Sequence, residues 1–207
     1  MEHRVTQILY PDQLAAAAQL LSERKLVAFP TDTVYGLGTL AFDGHTALKL
    51  YVAKERPPEK AIPVLISDIT DLAQVAIDIP PLAYRLMEQF WPGALTLVLP
   101  KDPRVPIEVS ATETVAVRMP DLDLTRNLMR LTGPLAVTSA NRSAGPNPRS
   151  AREVLAQLDG RIDAIVDGGE TPGGVPSTVL DCTQSPPRVL RAGATAAQIE
   201  AFLRATL

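Results

Sequence analysis

The sequence predicts an α/β protein with a mixed parallel and antiparallel sheet flanked by helices. Apolar segments of strand length alternate with amphipathic segments of helical length along the 207 residues. Several neighbouring strand segments are joined by connections too short for a helical crossover, so some strand pairs must be antiparallel. The proline- and glycine-rich segment at residues 168–176 has too little chain after it to be a linker to another domain. We therefore expect residues 1–207 to form a single domain.

The predicted elements follow the apolar pattern in chain order. Strands are expected at residues 8–9, 25–29, 62–66, 94–99, 115–117, 135–137, 164–166, 178–180 and 188–190. Helices are expected at residues 12–21 and 44–54, from about residue 68, and at residues 80–90, 124–131, 150–158 and 196–205. Asp12 is a predicted N-cap, and Ser150 with Glu153 has the spacing of a capping box. The prolines at 57 and 58 should end the second helix near Lys54.

Composition and charge exclude several kinds of function. Aromatic residues make up 4% of the chain and the net charge is −3, which argues against a surface that binds nucleic acid throughout. The single cysteine, Cys182, excludes an internal disulfide, and two histidines without ligand spacing do not indicate a zinc site. No segment resembles a signal peptide or is long enough to cross a bilayer. We expect a cytoplasmic protein without membrane contact.

The segment LVAFPTDTVYGLGT, residues 26–39, carries the densest set of chemically useful side chains. An apolar strand stops at a proline, and three small polar residues, Thr31, Asp32 and Thr33, follow with Tyr35 close behind. The glycines at 36 and 38 are expected in a loop, where they allow close approach of the backbone or a positive φ. The alternative is a simple turn in which these threonines and the aspartate bond only to local backbone.

Other predicted strands also end in polar or basic residues. Arg118 follows one strand, Thr138, Ser139 and Asn141 follow another, and Arg191 follows the strand at 188–190. Binding sites in α/β proteins tend to form where such strand ends converge. A basic set could then face one concave cavity in an acidic protein and bind a polyanion such as a nucleoside triphosphate: Lys54, Arg56, Lys60, Arg118 and Arg191.

Each of these residues also has a structural interpretation. The basic residues near 54–60 could form a solvated turn, and a buried Arg118 could pair with Asp121 or Asp32. Ser139 and Asn141 could make a turn and a helix cap, and Ser177 could be an ordinary strand residue. The sequence shows no phosphate-binding glycine loop and no nucleophile with a base beside it. Any chemistry should therefore depend on positioning and charge stabilisation.

Seven segments together resemble the YrdC-type threonylcarbamoyl-AMP synthases, in their short single-domain form. They occur in the family's order over nearly the whole chain, which makes the resemblance far more specific than one motif. The segments are PTDTVYGLG (30–38), KERPPEKAIPVLI (54–66), WPGALTLVL (91–99), VAVRMPD (115–121), TSANRSAG (138–145), PSTVLD (176–181) and VLRAG (189–193). The resemblance implies a YrdC-like twisted sheet with a concave basic cavity.

The resemblance implies a nucleotidyltransferase that joins L-threonine, bicarbonate and ATP into L-threonylcarbamoyladenylate with release of pyrophosphate. Mg²⁺ would enter with ATP, and no organic cofactor or protein-bound metal is expected. The product would pass to tRNA threonylcarbamoyl transferase proteins for N6-threonylcarbamoyladenosine formation in tRNA, with direct contact to RNA possible. The implied L-threonine ligands are Thr33, Arg118, Ser139 and Ser177. The implied ATP ligands are Lys54, Arg56, Lys60, Asn141 and Arg191, and the implied pocket wall is Thr31, Asp32 and Tyr35.

The chain departs from the family pattern at two places. Some members have a histidine near the position of Leu65, and the loop SANRSAG carries Ala144 as an extra residue before its glycine. Two other functions remain open: a non-catalytic module that binds tRNA or rRNA in the same cavity, and a related enzyme that transfers a carbamoyl group through a carbamoyl adenylate. The segment GGETPGGVP, residues 168–176, is expected to be a mobile loop.

Overall fold

The computed structural model describes residues 5–206, so residues 1–4 and 207 of the expected domain lie outside the described part. The strands and α-helices of that part follow in this order: β1 (Gln7–Leu9), α1 (Leu14–Ser22), β2 (Val27–Phe29), β3 (Gly36–Leu40), α2 (Gly44–Lys54), β4 (Val64–Leu65), α3 (Pro81–Phe90), β5 (Leu95–Pro100), β6 (Thr114–Arg118), α4 (Asp123–Thr132), β7 (Leu135–Ser139), α5 (Ala151–Leu158), β8 (Ala164–Val166), β9 (Thr178–Asp181), β10 (Arg188–Arg191) and α6 (Ala196–Thr206). Two 3₁₀ helices, Pro11–Gln13 and Ile69–Gln74, complete the regular structure of residues 5–206.

The strands form one ten-stranded sheet in the order β1-β8-β2-β3-β7-β4-β6-β5-β9-β10. The pairs β1–β8, β2–β8, β4–β6 and β5–β9 are parallel. The pairs β2–β3, β3–β7, β4–β7, β5–β6 and β9–β10 are antiparallel. The predicted mixed α/β sheet is therefore confirmed. Short connections join the antiparallel pairs β2–β3 and β9–β10, whereas β3–β7 and β4–β7 pair strands that are far apart in the chain.

The helices cover the two faces of the sheet unequally. Buried residues of α2, α3, α5 and α6 join one large apolar cluster on the first face. A smaller cluster joins α1 and α4 to strands β1, β8, β2 and β7 on the second face. The second face is thus packed over one half of the sheet, and a cavity occupies the other half, above β4, β6 and β9.

Strand β3 is the main element that the sequence prediction missed. The glycines at 36 and 38 were expected in a loop, but they lie in this strand between β2 and β7. A Cβ atom on Gly36 would lie 2.6 Å from Val137 Cγ1, and one on Gly38 would lie 2.9 Å from Phe29 Cε1. Close packing explains both glycines, and neither has a positive φ.

The local signals at helix ends were right in part. Helix α2 ends at Lys54 as predicted, before the two prolines. The hydroxyl of Ser150 accepts the N–H of Glu153, as a cap should, but the Glu153 carboxylate accepts the N–H of Arg149 at 2.8 Å. The prediction of Asp12 as an N-cap was wrong, because Asp12 lies inside the first 3₁₀ helix. Sequence spacing does not show which of several neighbouring residues caps a helix, because packing and turn geometry decide this.

We predict that Gly36→Ala lowers the free energy of unfolding by about 1–3 kcal/mol, because the new methyl group would overlap Val137. Urea denaturation followed by circular dichroism measures the loss.

The matched test is the double variant with Val137→Ala, which removes the overlapping methyl group. The two changes should couple, so that the double variant is more stable than the sum of the single losses predicts. If the two losses in the free energy of unfolding simply add, the contact with Val137 is not the reason for glycine at position 36.

Candidate active site

The cavity lies on the half of the sheet that α1 and α4 leave uncovered, and it has a volume of about 320 Å³. Successive side chains of a strand point to opposite faces, so alternate residues of adjacent strands form its floor. The floor residues are Pro63, Leu65, Thr96, Ala116, Arg118, Val137, Ser139, Ser177 and Val179. The walls include the segment between β2 and β3, together with Arg56, Asn147 and Arg191. In the described part of the chain, no carboxylate lines this cavity.

The structure brings eight of the twelve sequence-predicted site residues to this cavity: Thr31, Thr33, Tyr35, Arg56, Arg118, Ser139, Ser177 and Arg191. Four others do not line it: Asp32, Lys54, Lys60 and Asn141. Asp32, Lys54 and Asn141 are adjacent to lining residues and hold them in place. The Lys60 side chain is exposed, and the Lys60 carbonyl accepts the Nε–H of Arg56 at 3.2 Å.

Arg118 is the central charged group of the cavity and is only 6% exposed. Its Nε donates to the Gly93 carbonyl at 2.9 Å, Nη1 donates to Thr33 Oγ1 at 2.9 Å, and Nη2 pairs with the Asp32 carboxylate. Burial lowers the pKa of Arg118, and the Asp32 charge opposes that effect. Of five guanidinium N–H donors, these contacts use three, so two can serve a ligand. Asp32, one of the two partners that the sequence suggested for a buried Arg118, is therefore its partner in the structure. Two N–H groups of Arg118 are not used by these contacts.

The segment between β2 and β3 is a turn built by its own threonines. Thr31 Oγ1 donates to the Val34 carbonyl at 2.7 Å and lies 2.9 Å from Thr33 Oγ1. Tyr35 donates its phenol to the Gly169 carbonyl at 2.7 Å, and burial raises its pKa to about 12. The interpretation as a turn that bonds to local backbone therefore holds for Thr31. Thr33 in addition accepts a hydrogen bond from Arg118.

Arg56 and Arg191 are cations without an acidic partner in the described part of the chain. Arg56 donates to the carbonyls of Lys60 and Ala61, and Arg191 donates to the Ser177 carbonyl at 2.8 Å. Burial lowers the pKa of both arginines, and the positive charge of Arg191 adds to the effect at Arg56. Neutral oxygens orient these guanidinium groups but leave their charge uncompensated. An anion in the cavity would compensate it.

Lys54 is turned away from the cavity and is 2% exposed. Its ammonium group donates to the carbonyl of Ser139, the last residue of β7, and to the carbonyl of Asn141 in the following loop. The Asn141 amide donates to the carbonyls of Arg142 and Gly145 at 2.9 and 2.7 Å. Burial, with a smaller contribution from Arg56, lowers the pKa of Lys54 to about 7. The two side chains together fix the loop that presents Ser139.

The 168–176 segment is fastened to the loop between β2 and β3. Besides the Tyr35 phenol, the N–H of Gly174 donates to the Thr33 carbonyl at 2.6 Å, and the N–H of Thr171 donates to the Arg149 carbonyl at 2.8 Å. A Cβ atom on Gly173 would lie 2.7 Å from the Asp32 carbonyl oxygen, so glycine is required by this close approach. The predicted loop therefore has several backbone anchors, and among its residues Pro176 lines the cavity.

Twelve further residues line the cavity without a role assigned from the sequence, and three of them carry polar side chains: Thr96, Thr138 and Asn147. Thr96 could have been found, because it is the polar residue in the alternating strand segment LTLVL. Leu65 lies on the floor where some relatives are expected to have histidine, so this contact is apolar here. The extra Ala144 of the next loop has a φ of 65°, an uncommon conformation for alanine.

Among residues 5–206, no group of three or more histidine, cysteine, aspartate or glutamate side chains is placed to hold a metal ion. The helices of the same residues are all too short or too polar to cross a bilayer.

Comparison with known proteins gives consistent results. The family of Sua5, YciO and YrdC proteins, described as telomere recombination, matches residues 19–193. The threonylcarbamoyl-AMP synthase of Bacillus subtilis is 49% identical over 195 residues, which cover 92% of this chain and 56% of the relative.

Solved structures agree in fold. Pyrococcus abyssi Sua5 in complex with L-threonine superposes with a TM-score of 0.88 at 42% identity, covering 91% of this chain and 57% of that one. E. coli YciO superposes with a TM-score of 0.82 at 24% identity, covering 91% and 96%, which is a likeness in fold alone. The chain spans little more than half the length of the B. subtilis and P. abyssi relatives.

We predict that Lys54→Met lowers the free energy of unfolding by about 1–3 kcal/mol, because two buried carbonyls lose their donor. The difference from wild type should widen between pH 7 and pH 10. In this window the folded lysine has lost its proton, while the unfolded lysine, with a pKa of 10.5, keeps it. The unfolded chain then binds more protons than the folded chain. The free energy of unfolding of the wild type therefore rises with pH relative to that of the variant. Urea denaturation across this pH range measures both effects.

Lys49→Met is the matched control, because Lys49 lies on the same helix and its exposed amine donates only to the Arg24 carbonyl. It should change stability by less than about 0.5 kcal/mol. Equal losses in the two variants, or a constant difference across pH, would contradict the structural part assigned to Lys54.

Proposed function

The chain belongs to the family of Sua5, YciO and YrdC proteins, and we propose that it is a threonylcarbamoyl-AMP synthase. It would form L-threonylcarbamoyladenylate and pyrophosphate from L-threonine, bicarbonate and ATP. The observation that carries this proposal is the cavity itself, where three arginines line one wall and floor without any lining carboxylate among the described residues. The names of the relatives favour this reaction over a non-catalytic module that binds RNA.

The amino-acid end of the substrate would bind beside Arg118. Its bonds to Asp32, Thr33 and Gly93 leave one N–H group on Nη1 and one on Nη2 unused, and these would donate to the substrate carboxylate. Thr33, Ser139 and Ser177 would add hydroxyl groups around the same substrate. Apolar floor residues, including Leu65, would contact its carbon atoms.

The triphosphate would bind beside Arg56 and Arg191. Both guanidinium groups are oriented by carbonyl oxygens and carry uncompensated charge, which suits phosphate oxygens. Lys60 lies at the exposed edge next to Arg56 and could reach the same phosphates. Lys54 and Asn141 would act on the nucleotide site by holding the loop after β7, and Thr31, Asp32 and Tyr35 would support the wall.

The chemistry needs positioning and charge, not an enzyme nucleophile. The threonine amine attacks bicarbonate and gives a carbamate with loss of water. A carbamate oxygen then attacks the α-phosphorus of ATP, the bond to the β-phosphate oxygen breaks, and pyrophosphate leaves. Arginines next to the phosphates would stabilise the charge on the leaving group. Mg²⁺ would arrive on the ATP phosphates as part of the substrate.

The adenylate is a reactive mixed anhydride, so we expect a second protein to consume it. Transferase proteins that move the threonylcarbamoyl group to an adenosine of tRNA are the proposed partners. The proposed location is the cytoplasm, where ATP, bicarbonate and tRNA are available.

We predict that the purified protein releases pyrophosphate from Mg²⁺-ATP and bicarbonate only when L-threonine is present, with L-serine a much poorer substrate. A coupled phosphate assay measures the release, and mass spectrometry identifies the adenylate. Release without threonine that requires added carbamoyl phosphate as the carbamoyl donor would instead indicate a carbamoyl adenylate. Folded protein with no release under any condition would contradict the proposal, and a strongly salt-dependent affinity for RNA would then favour the binding module.

We predict that Arg191→Gln raises the KM for ATP about 10- to 100-fold, because a charge-assisted bond to phosphate contributes about 1.5–3 kcal/mol. Arg191 is a cleaner target than Arg118, whose removal would leave the buried Asp32 carboxylate without its cation. Steady-state kinetics with ATP as the varied substrate measure the change.

The matched control is Arg188→Gln, on the same strand but outside the cavity lining. Its KM for ATP should stay within about twofold of wild type, since surface charges contribute little. Similar shifts in both variants would mean that the effect comes from general surface charge and not from this site.

A further inference from the structure

Two buried hydroxyl groups on the cavity floor form a short hydrogen bond. Thr96 Oγ1 on β5 lies 2.7 Å from Ser177 Oγ, and the residues are 2% and 5% exposed. Arg191 Nη2 donates to the same Ser177 oxygen at 3.2 Å. Both hydroxyls line the cavity. Thr96 is thus coupled to a proposed substrate contact and to a proposed phosphate contact.

The proton of each hydroxyl can be assigned by counting donors and acceptors. Arginine only donates, so Ser177 accepts from Arg191. Within the described residues, the Thr96 hydroxyl has Ser177 as its protein partner. One of the two hydroxyls donates to the other, since their oxygens are 2.7 Å apart. When an anionic oxygen in the cavity accepts a hydrogen bond from Ser177, the Ser177 proton is used for the ligand, and Thr96 is then the donor to Ser177.

The position of Thr96 in the sheet identifies the ligand group. Leu97 pairs with Val117 across β5 and β6, so Thr96 and Arg118 are the next residues along the two strands. Both lie on the cavity floor. The group that faces Ser177 is therefore close to the anion that Arg118 would bind.

We propose that Thr96 is a positioning residue that makes Ser177 an obligate hydrogen-bond donor to a carboxylate or carbamate oxygen of the amino-acid substrate. With Arg191 and Thr96 both donating to it, Ser177 has its single proton left for the ligand. This inference rests on the proposed function and specifies how its amino-acid subsite is built.

The test compares Thr96→Val with Thr96→Ser in the pyrophosphate assay and by calorimetric titration with L-threonine. Thr96→Val keeps the shape and removes the hydroxyl, so the KM and Kd for L-threonine should rise about tenfold. The KM for ATP and kcat should change less than threefold. Thr96→Ser restores the hydroxyl and should return the threonine KM to within about twofold of wild type.

Thr39→Val is the matched control, because Thr39 is equally buried on β3 and its hydroxyl has no hydrogen-bond partner within residues 5–206. It lies outside the cavity lining and should leave the threonine KM unchanged. A thermal melt of each variant shows whether it is folded, and Thr96→Ala replaces Thr96→Val if the valine variant is not.

A double-variant cycle tests whether Thr96 acts through Ser177. In a Ser177→Ala background, Thr96→Val should cause no further rise in the threonine KM. Additive losses would overturn the inference, as would a threonine KM that is the same in Thr96→Val and Thr39→Val. A serine variant as impaired as the valine variant would also overturn it. These results presuppose threonine-dependent turnover by wild type; without it, the proposed function and this inference both fail.

Discussion

The candidate site depends on the buried contact between Arg118 and Asp32. This ion pair joins the end of β6 to the connection between β2 and β3, and the same guanidinium holds Thr33 and the Gly93 carbonyl. A buried charge is tolerated only when its partners are close and complete. The pair therefore fixes three separated segments of the chain around one cavity and still leaves two donors for a ligand.

The unequal helix coverage of the sheet provides the space for this contact. Four helices pack against the first face, whereas α1 and α4 cover only part of the second. A sheet floor without a helix above it must either bind water or a ligand. Here the alternation of side chains places apolar residues such as Leu65 and Val137 beside Arg118 and Ser177. The result suits a ligand with a small carbon skeleton and several anionic oxygens.

Residues around the cavity fall into two groups by their contacts. Arg56, Arg191 and Ser177 reach the cavity and are oriented by neighbouring oxygens. Lys54 and Asn141 lie outside the lining and use their donors on backbone carbonyls of the loop after β7. A family signature can therefore contain residues that build the site beside those that would touch substrate, and sequence similarity alone does not separate the two.

The sequence by itself determined most element types, the mixed sheet and eight of the twenty residues that line the cavity, because periodicity and polar strand ends are local properties. It did not reveal β3, since glycines there are required by Val137 and Phe29, which approach from neighbouring strands. It also left open which carboxylate pairs with Arg118. Nor did it show that the Lys54 side chain is buried and turned away from the cavity. Only the tertiary structure decided these, because each depends on contacts between segments far apart in the chain, such as Arg118 with Asp32 and Lys54 with the loop after β7.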